Sequence, residues 1–368
     1  MKPRILFAAL LALVVSVVGS APAMAAPAKC AGVAKTKACK PAPTELARKK
    51  ALGKKAGKVA RAGRNAARLT ARGKRVLTGK LAAARRQAAR ARIARIQIED
   101  EPLTVRLDAF GQPRLSSSAF YVVNQGTGEV LLQQGARHVM PIASITKLMT
   151  AIVVLESHSS LNESLTITED DIDYLKGTGS RLGVGTRLTR EEMLQLALMS
   201  SENRAASALA RNYPGGRTAF VEAMNAQARL LGMNDTHFYD STGLTPRNVS
   251  SPRDLSQMVM AAARYPLIRE FTTTTERYVD IEGQVKRFRN TNGLVKNPDW
   301  NIGVSKTGYI SEAGRCLVMQ AWMGGQPLVI VLMDANGRNM RVVDAQRVRL
   351  WLEERPELLA ANRKQPQG

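Results

Sequence analysis

The 368-residue chain has three cysteines, three histidines and 5% aromatic residues. Three cysteines exclude a disulfide-dense scaffold, and three histidines exclude a zinc-finger array. His138, His158 and His237 are scattered and form no ligand motif, so the sequence points to no metal site. A run of about 20 apolar residues is also missing, which excludes a polytopic membrane protein. Acidic residues are scarce as well, 30 Asp+Glu against 54 Lys+Arg, for a formal charge of +24. Such an excess usually suggests a polyanion as partner, but its distribution says otherwise. Residues 29–95 hold 22 Lys+Arg and one acid, Glu45, whereas residues 96–368 hold 30 bases and 29 acids. The basicity belongs to an N-terminal arm, and the larger part of the chain is nearly neutral.

This split sets the domain organisation. Met1–Arg4 is a short basic start, Ile5–Val18 is an apolar run too short to span a membrane, and Ala23-Met24-Ala25 is a small-x-small cleavage site. Residues 1–25 are therefore expected to be a signal peptide cleaved near Ala25, and the mature protein to be exported to the periplasm or cell envelope. Residues 26–100 form an Ala/Lys/Arg-rich, low-complexity arm with little to bury, expected to be disordered by itself. Cys30 and Cys39 either pair after export or are incidental thiols. Residues 101–356 read as one globular domain, followed by a tail over residues 357–368.

Within the globular part, Ala119–Val123 and Glu129–Leu132 flank Asn124-Gln125-Gly126-Thr127-Gly128, a hairpin pattern. Ser144–Glu156 is apolar on nearly all sides, as in a helix at the centre of a domain. Thr189–Asn212, Gly216–Leu231 and Ser251–Tyr265 have helical spacing. Gly303–Tyr309, Cys316–Met323 and Leu328–Met333 read as strands, the last two joined by Gly324-Gly325, and Met340–Glu353 as a closing helix. This order predicts an α/β domain with a helical insertion, its sheet combining N- and C-terminal strands. Cys316 falls in an apolar strand and reads as core. Gly177–Gly185 lacks the preceding strand of a dinucleotide-binding turn and reads as a loop.

Three short motifs carry chemistry. Ser144-Ile145-Thr146-Lys147 puts a lysine one helical turn from a serine, on the same face, where burial could turn the amine into a base. Ser201-Glu202-Asn203 follows the segment ending Leu196-Ala197-Leu198. A competing Ser160-Leu161-Asn162 sits at the far end of the Ser144 helix and could hardly fold back onto Ser144. Lys306-Thr307-Gly308 lies in a predicted edge strand, where Gly308 permits close backbone approach and the strand could add a peptide by main-chain pairing. Individually each motif has a bland reading: a chance pair, a capping turn, an ordinary strand.

In this order, on helix, loop and strand, the three resemble the serine penicillin-recognising pattern. Over roughly Leu115–Glu354 the chain resembles the low-molecular-mass penicillin-binding proteins, serine D-alanyl-D-alanine peptidases of peptidoglycan. Asn290-Thr291-Asn292-Gly293-Leu294 and Ser241-Thr242-Gly243-Leu244 add to the likeness. The resemblance implies a penicillin-recognising serine transpeptidase/β-lactamase-like fold: an antiparallel sheet with helices packed on it. It also implies an acyl-enzyme mechanism without cofactor or metal. Ser144 would be the nucleophile, Lys147 its base, Ser201 the relay to the leaving amine, and Asn203 a holder of Lys147 and substrate. Lys306 and Thr307 would bind the terminal carboxylate, Gly308 would lie beside them, and the N–H groups of Ser144 and Tyr309 would form the oxyanion hole. Arg338 is expected to add a carboxylate contact.

The implied partners are peptidoglycan peptides, with β-lactams as covalent inhibitors. No Glu-x-x-Leu-Asn segment lies between Asn203 and Lys306, which argues against a class A β-lactamase. Ser201-Glu202-Asn203-Arg204-Ala205-Ala206 resembles the periplasmic DD-endopeptidase subgroup, with a DD-carboxypeptidase as the alternative. Export argues against nucleic acid as partner of the arm. An anionic envelope surface is the expectation, against a solvated linker.

Overall fold

The structure is a computed structural model that describes residues 104–360. The expected signal peptide, the basic arm with Cys30 and Cys39, and residues 361–368 of the tail lie outside the described residues.

The core is a five-stranded antiparallel sheet of β1 (Ser117–Asn124), β2 (Val130–Gln134), β3 (Asn301–Ile310), β4 (Gly314–Met323) and β5 (Gln326–Ala335). Their spatial order is β2-β1-β5-β4-β3. The first two strands thus pair with the last three across the whole insertion, as the sequence predicts, and the Lys-Thr-Gly strand β3 is an edge. Alternation with period two explains why the sheet is buried on both faces. Ala119, Tyr121 and Val123 of β1 join one cluster with Val329, Val331 and Met333 of β5. Phe120 and Val122 join the other with Leu328, Ile330 and Leu332. Gly324 and Gly325, both at positive φ, make the tight β4–β5 turn.

One face is covered by the insertion: α1 (Thr146–Glu156), α2 (Arg190–Met199), α3 (Asn203–Arg211), α4 (Gly216–Leu230), α5 (Pro252–Ala262) and α6 (Pro266–Thr273). The other carries α7 (Met340–Glu353), followed by the short α8 (Pro356–Ala360). The buried Asp344 carboxylate of α7 accepts the N–H groups of Ser116 and Ser117 and the Ser117 hydroxyl, which fixes the C-terminal helix to the start of β1. α1 is buried all round from Thr146 to Val154, as its lack of amphipathicity implies.

Two boundaries differ from the sequence reading. The helical spacing of Thr189–Asn212 runs through two helices, because the chain breaks at Ser201, which adopts φ 61°. Ser251–Tyr265 ends as a helix at Ala262, and Pro266 opens a separate one. A two-stranded ribbon, Glu276–Ile281 with Gln284–Arg289, has no counterpart among the elements expected from the sequence, its short strands being half exposed and without a continuous apolar run.

Candidate active site

Ser144 stands in a single 3-10 turn, Ala143–Ile145, immediately before α1. The turn begins with Ala143 at φ 48°, a left-handed conformation that costs a non-glycine residue about 1 kcal/mol and throws the next residue outward. Two glycines make room for it. A Cβ on Gly243 would stand 1.8 Å from the Ala143 carbonyl oxygen, and one on Gly308 would stand 2.9 Å from that of Ile142. Gly308 thus admits the turn that carries Ser144 against the edge strand, a more specific role than closeness to a ligand. Cys316, opposite Gly308 in the β3–β4 register, is buried in the core, and burial pushes its thiol up to about 11.

Lys147, in the first turn of α1, is fully buried. Its Nζ lies 2.9 Å from Ser144 Oγ, 2.7 Å from Asn203 Oδ1 and 2.7 Å from the Thr242 carbonyl oxygen. Burial lowers its pKa to about 7, although the carboxylates of Asp240 and Glu202 pull the other way. The partner set suits both protonation states. Asn203 Oδ1 and the Thr242 carbonyl can only accept, so a neutral amine spends its two N–H bonds on them. Its lone pair then faces the Ser144 hydroxyl, the one partner able to donate.

That arrangement depends on Asn203 keeping its oxygen toward the lysine. Asn203 Nδ2 donates to Thr178 Oγ1 at 2.9 Å, and Thr178 Oγ1 donates to Asp173 Oδ2 at 2.7 Å. Burial pushes the Asp173 carboxyl up, but hydrogen bonds from Thr178 and from the N–H groups of Lys176 and Leu175 outweigh it and hold the carboxyl below its usual range. The Thr242 carbonyl is fixed from the other side. Asp240 accepts N–H groups from Thr242, Gly243 and Thr245, and the buried Asn248 ties this loop to Thr146 of α1. Neither Asp173–Thr178 nor Asn248 carries a motif, so neither is legible as a site residue in the sequence. The only signal was an Asp and a Thr beside the glycines of Gly177–Gly185, which is indeed a loop.

Ser201 reaches the site because its positive φ turns the chain between α2 and α3. Glu202, buried beside it, accepts from Ser180 Oγ at 2.6 Å and from the Arg181 guanidinium. Lys306 Nζ donates to Ser201 Oγ at 2.9 Å. Lys306 is also buried. Desolvation, then the nearby charges of Lys147 and Arg341, hold it well below the ordinary lysine range. Thr307 Oγ1 donates to Thr291 Oγ1 at 2.7 Å, and Asn292 Nδ2 to Ser305 Oγ at 2.8 Å, so the Asn290–Leu294 segment braces the edge strand. A cleft of about 390 Å³ opens beside Ser201, Glu202 and Asn203, and one of about 300 Å³ lies on the other side of Asn203.

The structure therefore joins Ser144, Lys147 and Asn203 in one hydrogen-bonded group and Ser201 with Lys306 in a second, the two lysines near enough for their charges to interact, with Thr307 and Gly308 on the adjoining strand and Tyr309 at its exposed end. It leaves Ser160 elsewhere, as anticipated; its carbonyl accepts from Arg190. Arg338 is exposed on the loop after β5 and makes no bond to the Lys-Thr-Gly strand. The guanidinium that does is Arg341, from the first turn of α7, whose Nη1 donates to the Gly308 carbonyl at 3.0 Å. Burial, then the nearby Arg315, lowers its pKa.

Residues 107–337 match the model of a peptidase family, S11, described as D-alanyl-D-alanine carboxypeptidase. A D-alanyl-D-alanine endopeptidase of Pseudomonas aeruginosa is 48% identical over 244 residues, covering 66% of this chain and 79% of that protein. The Escherichia coli protein of the same name is 44% identical with the same coverage. Among solved structures, the Streptomyces K15 DD-transpeptidase superposes with TM-score 0.61 at 30% identity, covering 65% of this chain and 98% of that one. Penicillin-binding protein D2 of Listeria monocytogenes, in its cefotaxime-bound form, superposes with TM-score 0.56 at 29% identity, with 65% of this chain and 99% of that one covered. With Lys147 bonded to Asn203, Lys306 bonded to Ser201 and a family match across most of the described domain, the chain belongs to the S11 family of serine D-alanyl-D-alanine peptidases.

Proposed function

We propose that this serine D-alanyl-D-alanine peptidase is an endopeptidase that opens D-Ala cross-links of peptidoglycan, and that it is acylated by β-lactams. The observation that carries the mechanism is the buried Lys147 amine, 2.9 Å from Ser144 Oγ and held by two groups that can only accept.

Ser144 Oγ attacks the D-Ala carbonyl while its proton passes to the Lys147 lone pair. The carbonyl oxygen takes the negative charge facing the N–H groups of Ser144 and Tyr309. As the C–N bond breaks, the leaving amine takes a proton through Ser201, whose oxygen is positioned by Lys306 Nζ. Lys147, which took it from Ser144, is the source of that proton. Water then gives a proton to the neutral Lys147 and attacks the acyl carbonyl, and Lys147 returns the proton to Ser144 Oγ as it departs. Asn203 fixes Lys147, and Lys306 with Thr307 supplies a positive, hydrogen-bonding edge for the carboxylate beside the scissile bond. Arg341 adds to that field from behind Gly308.

Endopeptidase is favoured over carboxypeptidase by Ser201–Ala206. The relatives named endopeptidase are also 38–48% identical, against 26–33% for those named carboxypeptidase. Mass analysis of products decides between them. Cleaved cross-linked dimers support the endopeptidase; D-Ala released from pentapeptide with dimers intact overturns it. An intact mass showing one benzylpenicillin on the wild type and none on Ser144→Ala tests the nucleophile.

Residues 1–25 are read as an export signal, and the arm of residues 26–100 as a tether to anionic polymers or headgroups of the envelope, its basic residues concentrated in 29–95. Fractionation of an arm-deleted variant with sacculi and membranes, unchanged from the full chain, would overturn the tether.

A further inference from the structure

A second polar groove lies at the end of the sheet, with a cavity of about 560 Å³. Tyr309, Arg315, Arg338, Asp334 and Ser118 are among the residues that line it. Three observations connect it to the reaction. First, Tyr309 belongs both to this groove and to the proposed oxyanion hole; its side chain is 55% exposed although its strand is otherwise buried there. Second, Arg315 stacks its guanidinium over the Tyr309 ring at 4.3 Å, and neither Arg315 nor Arg338 lies within ion-pair distance of a carboxylate among the described residues. Asp334, the one acid of the groove, is occupied by the Ser118 hydroxyl at 2.9 Å. Third, direction along β3 assigns the groove to one side of the scissile bond. Lys306 touches Ser201, the group facing the leaving amine, whereas Tyr309 lies three residues further, about 10 Å along an extended strand. A peptide laid on this edge has its leaving part toward Ser201 and its acyl part toward Tyr309.

We infer that this groove is the subsite for the stem peptide of the acyl-donor strand, and that Arg315 and Arg338 recognise a free carboxylate on that stem. The inference rests on the proposed role of Ser201 only for the direction of the chain. Two sources offer such a carboxylate: the α-carboxyl of a γ-linked glutamyl residue, and the side-chain carboxyl of a diaminopimelyl residue at the third position. Arg338 is then a stem-binding residue rather than part of the Lys-Thr-Gly carboxylate site.

The test uses the full mature chain with four cross-linked dimers: all carboxylates free, the donor glutamyl amidated, the donor diaminopimelyl amidated, or only the acceptor stem amidated. One of the two donor-amidated dimers should be cleaved by wild type with kcat/KM about threefold to tenfold lower, the loss residing in KM, and this identifies the carboxylate. Arg315→Gln and Arg338→Gln should cut the free dimer as slowly as wild type cuts that amidated one, and should no longer discriminate between them. Equal cleavage of free and donor-amidated dimers by wild type overturns the inference. So does discrimination confined to the acceptor stem, or discrimination retained by both variants. If dimers stay intact and only uncross-linked pentapeptide is trimmed, the endopeptidase reading fails. The same amidation comparison on the pentapeptide then decides the groove, because the acyl side is common to both substrates.

Discussion

The burial of Lys147 predicts how acylation depends on pH. A lysine at the ordinary value of 10.5 would be almost wholly protonated at neutral pH and useless as a base; at about 7 half of the molecules carry a free amine. The sign follows from the mechanism: the neutral amine accepts the Ser144 proton, so the rate rises with pH through the folded-state pKa and then levels. With a pKa of about 7 the neutral fraction is about one tenth at pH 6 and about nine tenths at pH 8. Benzylpenicillin acylation, followed by stopped-flow or by quenched intact mass at saturating drug, should therefore increase about tenfold from pH 6 to pH 8 and change little above it. An unshifted lysine gives a different curve, about a hundredfold over the same interval and still rising at pH 9. Lys147→Arg, which stays charged, should lose about 10²–10⁴ of the rate and the inflection with it. The reasoning is refuted by a wild-type rate that is flat from pH 5 to 8, or one that climbs with unit slope past pH 9.

The support beneath the site gives three further outcomes. Thr178→Val removes the acceptor that orients the Asn203 amide; acylation by penicillin should slow about tenfold, while urea unfolding shows a loss of only about 1 kcal/mol. Gly243→Ala places a methyl against the Ala143 carbonyl at a position whose φ is +78°, so the melting temperature should fall by several degrees, the product of about 1–3 kcal/mol of strain. Gly308→Ala presses the edge strand away from the Ile142–Ser144 turn. A displacement near 1 Å should cost about a hundredfold in acylation with little loss of fold, and an unimpaired rate would show that the close approach is not needed.

What was legible in the sequence follows from what chemistry dictates locally. A nucleophile with its base one turn away, a relay serine with an amide two residues on, and a cationic edge strand each need particular residue types at short fixed spacing. Ser144/Lys147, Ser201/Asn203 and Lys306–Gly308 therefore stand out as short motifs, and the family resemblance is what implies their roles. The sheet was legible for a related reason: strands buried on both faces leave continuous apolar runs, as in Phe120–Val123 and Leu328–Met333. The half-exposed ribbon over Glu276–Arg289 leaves none.

The groups that set the protonation and orientation of the site were hidden because they act across long separations through single hydrogen bonds. Asp173 and Thr178 reach Asn203 some 25 residues away, and Thr242 reaches Lys147 across 95. Nothing near Thr178 or Thr242 in the sequence announces such a partner. The contrast between Arg338 and Arg341 has the same origin. Both Arg338 and Arg341 follow β5, but only the start of α7 at Met340 turns one of them onto Gly308 and leaves the other on the loop. Spacing within one helical turn can be read from sequence; a choice between two arginines on either side of a helix start is made by the packing of α7 against the sheet. The Arg338→Gln and Arg341→Gln variants should therefore behave oppositely toward a substrate without a stem. With penicillin, loss of the buried Arg341 leaves the Gly308 carbonyl without its donor and slows acylation, whereas loss of Arg338 removes a group that only a longer peptide can reach.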